Sequence, residues 1–205
     1  MNAGIRVALL LLLTPTPLVA QGFFEEFSYE GIRLSGIGAD GGVVLSNSLT
    51  TEPIGGIRVD LGTFAPTVRV VVGGSYFKGQ FKEDRLREFE QRLEDLVGEP
   101  VDIGAITLSN IEVFLDLQYL LPRLGRFQSY LGLGFGAHIR NGDGEAIEGT
   151  FVEDALSTVA AGLNGSVGLD VALIPQLSFT AEARGGLTSE LRTLSVRGGL
   201  MYWLH

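Results

Sequence analysis

From Val159 to Leu173 the chain alternates with a period of two. Odd positions carry Val159, Ala161, Leu163, Val167, Leu169, Val171 and Leu173; even ones carry Asn164, Ser166, Asp170 and small residues. That pattern predicts a strand with two unlike faces. Phe127–Ile139 repeats it, setting Phe127, Leu131, Leu133, Phe135, Ala137 and Ile139 against Gln128, Tyr130, three glycines and His138. In Gln176–Leu187, Leu177, Phe179, Ala181 and Ala183 oppose Ser178, Thr180, Glu182 and Arg184. Rougher alternation marks Phe27–Ile37, Gly55–Thr63, Val68–Lys78 and Leu108–Tyr119, and Thr193–His205 completes eight expected strands.

The segments are long. Strands of water-soluble domains run to about five or six residues, whereas a tilted membrane-spanning strand needs about 9–11. The expected connections alternate in length. Phe64–Pro66, Leu121–Gly125 and Ile174–Pro175 are short; Gly38–Pro53, Gly79–Ile106, Arg140–Ala155 and the smaller Thr188–Arg192 lie between them. Short turns at one end and long loops at the other are expected of an outer-membrane barrel. An even strand number then places both termini in the periplasm.

The polar faces hold Arg33, Arg58, Asp60, Arg69, Glu112, Asp116, Asp170, Glu182, Arg184 and Arg197, five of each sign. With the apolar face against lipid, these ten would point into the lumen and pair there. Facing hydrocarbon, each basic group would cost about 2–4 kcal/mol at midplane depth. The competing arrangement is a soluble barrel such as a lipocalin, with its apolar face inside; no Gly-x-Trp strand of the lipocalin kind begins this chain. Trp203 falls on the polar face in this scheme.

Residues 1–20 read as a cleaved signal peptide, with Arg6 before the apolar run Val7–Leu13 and Leu18-Val19-Ala20 as the small-residue exit. The run is too short for a spanning helix, which takes about 20 residues. Residues 21–205 then form one barrel domain. Losing Arg6 moves the formal net charge from −9 to −10. So acidic a chain offers no footprint for nucleic acid. Without cysteine, disulfides, a thiol nucleophile and a lipid-modified N-terminal cysteine are excluded.

The ending adds a sorting pattern. Gly199 is followed at three and five residues by Tyr202 and Leu204, with His205 added beyond them. It resembles the C-terminal signal recognised by the barrel assembly machinery of the Gram-negative outer membrane, although such chains usually stop on an aromatic residue. With the exported start and the Val159–Leu187 hairpin, the mature chain resembles the small outer-membrane β-barrel superfamily that includes OmpA-type transmembrane domains, OmpX and the opacity proteins. The resemblance implies a closed antiparallel eight-stranded transmembrane β-barrel. It implies a monomer among outer-membrane lipids and lipopolysaccharide. The chain stops at strand eight, so the peptidoglycan-binding domain of a full OmpA-like protein is not expected.

Asp84–Val97 is the one helical segment in the pattern, placed in an external loop. Leu86, Phe89, Leu93 and Leu96 form its apolar stripe, and Glu88 and Arg92 pair at i,i+4. Asp84 is the expected N-cap, and Gly98 with Pro100 the stop. The stripe covers either the barrel rim with its lipid headgroups or a partner. Catalytic candidates are sparse. His138 could approach Ser157 or Glu112, but Ala137-His138-Ile139-Arg140 lacks the His-x-Ser of lipid A deacylases. The acidic loop with Asp143, Glu145, Glu148, Glu153 and Asp154 does not reproduce an EF-hand spacing. Gly132, Gly134 and Gly136 are not followed by the helix start a phosphate loop needs, and read as small lumen positions. No cofactor is expected. The function expected is a non-enzymatic membrane anchor displaying external loops for surface interaction or envelope integrity. A narrow small-solute pore and a lipid-modifying barrel enzyme are the alternatives.

Overall fold

A computed structural model describes residues 31–100, 104–144, 157–189 and 191–204. The expected signal segment, the first residues assigned to strand one, most of the acidic loop and His205 lie outside them. Eight antiparallel strands close into a barrel in chain order. They are β1 (Ile32–Ser46), β2 (Glu52–Ala65), β3 (Val68–Gln80), β4 (Thr107–Leu120), β5 (Phe127–Asp143), β6 (Val159–Ile174), β7 (Leu177–Thr188) and β8 (Arg192–Trp203). β8 seals the wall against β1, in register from Gly36 opposite Trp203 to Ser46 opposite Thr193. One helix, α1 (Glu83–Val97), is described between β3 and β4.

The alternation that predicts the strands also sets their faces. Along β5, Tyr130, Gly132 and each second residue to Gly142 face inward, while Leu131, Leu133, Phe135 and Ile139 face out. Leu133 is 76% exposed, Phe135 70% and Ile57 66%. Such a continuous apolar girdle would drive association in water. In hydrocarbon it is the favoured surface, and closure leaves no unpaired edge. No described helix is long and apolar enough to cross a membrane; strands of 12–17 residues are. This is a membrane-spanning barrel.

The first strand departs from expectation. It extends to Ser46, so Gly38–Leu45 belong to the wall, and the connection to β2 is short. Two causes hide it. A register shift between Ile32 and Gly36 breaks the alternation. Gly36, Gly38 and Gly42 fill inward positions with little room: a Cβ on Gly38 would stand 2.6 Å from the Leu200 carbonyl oxygen.

Lumen glycines elsewhere make space for large neighbours. A Cβ on Gly73 would meet Cζ of Phe114 at 2.5 Å, and one on Gly168 would overlap the Tyr130 ring. Gly132, Gly134 and Gly136 face Ser166, Asp116, Asn164 and Glu112 in the same way, as small lumen positions should.

α1 begins one residue before the expected Asp84. Lys82 is the boundary residue and makes no side-chain cap; Asp84 lies inside the first turn beside Glu83, where both acids favour the helix dipole. Lys82 instead donates its Nζ to the Ser46 carbonyl at 2.8 Å. Gly98 ends the helix as expected, at φ 76°, with its N–H donated to the Glu94 carbonyl at 2.7 Å. Glu88 lies 3.8 Å from Arg92 and 2.9 Å from Arg85.

Candidate functional site

The lumen is filled in layers. Nearest the end that carries both described termini, Arg69 of β3 reaches Asp170 of β6 at 2.9 Å and Asp60 of β2 at 3.4 Å. Its Nε and Nη2 donate to Gln118 Oε1 at 2.9 and 2.6 Å. Its guanidinium also lies 5.0 Å from the Tyr130 ring centroid and 5.7 Å from that of Trp203. Trp203 thus sits on the lumen side, and its Nε1 donates to Ser178 Oγ at 2.8 Å.

Above this layer Arg58 of β2 pairs with Asp40 of β1 at 2.9 Å and with Glu182 of β7 at 3.3 Å. The Tyr130 hydroxyl donates to the same Glu182 carboxylate at 2.8 Å. Arg184 bonds Glu182 at 3.2 Å and reaches Asp116 on β4, with its guanidinium 3.9 Å from the Phe114 ring centroid. The next layer joins Arg197 to Asp40 and Glu112, each at 3.7 Å, and Arg184 to Glu112 at 3.8 Å. Most of these pairs tie strands that are not neighbours in the wall, so the network bolts the barrel across its interior.

Nine of the ten charges expected inside are there. Arg33 is not: it is exposed at the mouth on the terminal side, within the register shift between Ile32 and Gly36 of β1. Asp40 takes a place in the network that the expected loop at Gly38–Pro53 denied it. Four arginines therefore meet six carboxylates in these layers. Neutral donors serve the additional acceptors. Thr180 donates to Asp170 at 2.7 Å, Ser75 and Asn164 to Glu112 at 3.0 and 2.9 Å, and the Gly62 N–H to Asp60 at 2.7 Å.

Beyond the charges, toward the helix end, the lumen turns apolar. Val44, Leu49, Ile54, Phe77, Leu108 and Leu191 form a buried plug, with Phe81 against it. Phe81 also joins Ile106, Leu86, Phe89 and Leu93 in a second cluster. The stripe of α1 thus lies on the chain's own β3 and β4 extensions. The Leu96 side chain lies outside what is described. A cleft of about 270 Å³ opens beside the helix between Phe81, Leu86, Phe89 and Ile106, with Arg85, Glu88 and Arg92 at its edge.

At the opposite end the lumen widens into a vestibule of about 1010 Å³. Gly31, Arg33, Arg123, Arg126, Leu173 and Trp203 line it, with Arg69, Asp60 and Asp170 as its floor.

Catalytic geometry does not assemble around His138. It is buried in the lumen opposite Glu112 in register, not at an open strand end, and the Ser157 hydroxyl donates to Asn141 Oδ1 at 3.0 Å. Among the described residues no group of three or more His, Cys, Asp or Glu could hold a metal ion. At the end of β8, Gly199 lies opposite Asp40 and Thr180 in register, and Tyr202 and Leu204 face outward.

No family model matches the chain, and no curated protein does. Solved structures do. Neisserial surface protein A aligns with a TM-score of 0.59 at 12% identity, over 83% of this chain and 97% of its own. A major outer membrane protein from Thermus thermophilus gives 0.51 at 11% identity, over 83% and 99%. Ail of Yersinia pestis, in complex with the heparin analogue sucrose octasulfate, gives 0.50 at 10% identity, over 83% and 99%. These alignments run over nearly the whole of each neighbour, and with eight strands closed in chain order the chain has the fold of the small eight-stranded outer-membrane β-barrels.

Proposed function

We propose that this is a non-enzymatic barrel of the outer membrane that anchors a surface-facing cap. The supporting observation is the closed lumen: cross-lumen ion pairs fill its middle, and the plug around Leu49 and Phe77 fills its helix end. Eight strands leave an interior just wide enough for side chains, so little bore is left for a solute. What varies freely on such a base is the loop set, and loops on a rigid scaffold carry recognition.

In this reading the termini and short turns face the periplasm, and α1 faces the exterior. The girdle meets outer-membrane lipids, the rim meets lipopolysaccharide, and the protein is a monomer. Gly199, Tyr202 and Leu204 serve the barrel assembly machinery, which would read them before β8 pairs with β1. The exposed face of α1, with Arg87, Gln91 and Arg92, is the contact surface for an external partner or neighbouring envelope component.

Planar-bilayer recording tests the closed barrel: the folded protein should give no stable channel. A steady, large single-channel conductance would replace anchoring with transport. Surface labelling of a tag inserted after Gly98 in intact cells tests the orientation, and labelling only after permeabilisation would reverse it.

A further inference from the structure

A small cavity lies inside the barrel where the charge layers meet the apolar plug. It measures about 10 Å³, and Val44, Ile54, Phe77 and Leu191 form its apolar side. Opposite them stand Asn110, Glu112, His138, Asn164, Arg184 and Arg197, each 5% exposed or less. Hydrogen bonding is incomplete in this layer. Asn110 Oδ1, Asn164 Oδ1, His138 Nε2, Arg184 Nη1 and Arg197 Nη1 are buried and make no hydrogen bond among the described residues. Buried polar atoms are rarely left so, and these five belong to residues lining one cavity.

The ion pairs of the layer are also too long for direct hydrogen bonds. Arg184 Nη1 is 3.8 Å from Glu112 Oε1, and Arg197 Nη2 is 3.7 Å from Glu112 Oε2. Polar separations beyond about 3.5 Å are those a water bridges. Glycines leave the polar groups bare on the wall side. A Cβ on Gly136 would stand 3.0 Å from Asn164 Nδ2, 3.2 Å from Glu112 Oε1 and 3.3 Å from His138 Nε2.

The lining selects its occupant by chemistry. The guanidiniums of Arg184 and Arg197 donate only and would repel a cation. The amide oxygens of Asn110 and Asn164 and the Glu112 carboxylate accept only and would repel an anion. A small neutral molecule that both donates and accepts satisfies both sets. About 10–15 Å³ is the least space in which one water fits. We propose that this cavity is the binding site of a single internal water. It accepts from the guanidiniums of Arg184 and Arg197 and donates to the oxygens of Asn110 and Asn164. The plug closes over it, so the water joins the charge network to the lumen's apolar end. This site belongs to the interior and does not rest on the surface role.

Crystals of the folded protein that diffract well enough to resolve ordered solvent test it, with a bromide soak as the comparison. A single oxygen should refine at about 2.7–3.2 Å from a guanidinium nitrogen of Arg184 or Arg197 and from the amide oxygen of Asn110 or Asn164. The bromide soak should show no anomalous peak there. Asn110→Leu and His138→Phe each put carbon where a polar atom faces the site, and should lower the occupancy at least several-fold. Oxygen-17 relaxation dispersion of the folded protein in detergent gives the same comparison without crystals: either variant should lose the contribution of one long-lived water. A dry cavity in the parent protein, side chains that close on one another to fill it, or a bromide peak at the site would each overturn the proposal. So would unchanged occupancy in the folded variants. If neither variant folds, the parent density and the bromide soak decide.

Discussion

Arg58 on β2 and Glu182 on β7 meet across the lumen, Nη1 to Oε2 at 3.3 Å, with the Glu182 side chain wholly enclosed. Glu182 is the node of the network, because Arg184 and the Tyr130 hydroxyl bond the same carboxylate. Removing it leaves Arg58 with Asp40 alone and Arg184 with Asp116 and Glu112, each guanidinium short of one buried partner. Glu182→Ala should cost about 3–5 kcal/mol, the range for breaking a buried pair from one side. Unfolding of liposome-inserted protein by urea measures it, and a loss below about 1 kcal/mol would mean that water already solvates the pair.

The fit of Tyr130 against Gly168 makes a second prediction. A methyl group at 168 would overlap the buried ring, whose hydroxyl is held by Glu182. Gly168→Ala should destabilise by about 1–3 kcal/mol, as overpacking does. In a Tyr130→Ala background the same change should cost almost nothing. Equal penalties in both backgrounds would show that the strand moves away and that the ring is not the obstacle.

Strand periodicity made most of this architecture legible. Where outward residues are large and inward ones polar, as in β5 and β7, sequence and structure agree nearly residue for residue. β1 was obscured because its inward positions are mostly glycines and its one inward charge, Asp40, sits among them like a turn residue. A register shift near its start moved Arg33 out of the lumen. Partner choice within the network was not legible. Arg58 with Glu182 and Arg184 with Asp116 join strands distant in the wall, and only closure of the barrel brings them together. The stripe of α1 was evident from its spacing, but what it covers depends on how far β3 and β4 rise above the girdle.

Phe89 links the helix to that rim. It packs with Phe81 and Ile106 at the edge of the plug, and the backbone N–H of Phe81 is donated to the Ile106 carbonyl at 3.0 Å. Since short helices are marginal in water without such packing, Phe89→Ala should free α1 while leaving the wall intact. Limited proteolysis should then cut between residues 82 and 99 faster, with heat-modifiable migration of the uncut barrel unchanged. If the barrel itself loses heat resistance, the cap is part of the structural closure.

Closure of the wall depends on β8, and that gives the last prediction. Leu204 donates its N–H to the Ser35 carbonyl at 2.8 Å, just past the last ladder pairs between β8 and β1. Tyr202 and Leu204 point outward toward lipid, away from the ladder that holds the strand in register. If they serve only as girdle, each deletion to alanine removes burial worth about 1.5–3 kcal/mol, and folded protein should still accumulate. If they are read during assembly, Tyr202→Ala with Leu204→Ala should leave unfolded chains to periplasmic proteases in cells. The same variant should refold in detergent with nearly parental yield. Loss in cells together with successful refolding marks a sorting role, and equal loss in both places marks a structural one. Gly199 separates the two further. A Cβ there would collide with the Ala39 carbonyl and Asp40 backbone, so Gly199→Ala should fail in detergent as well.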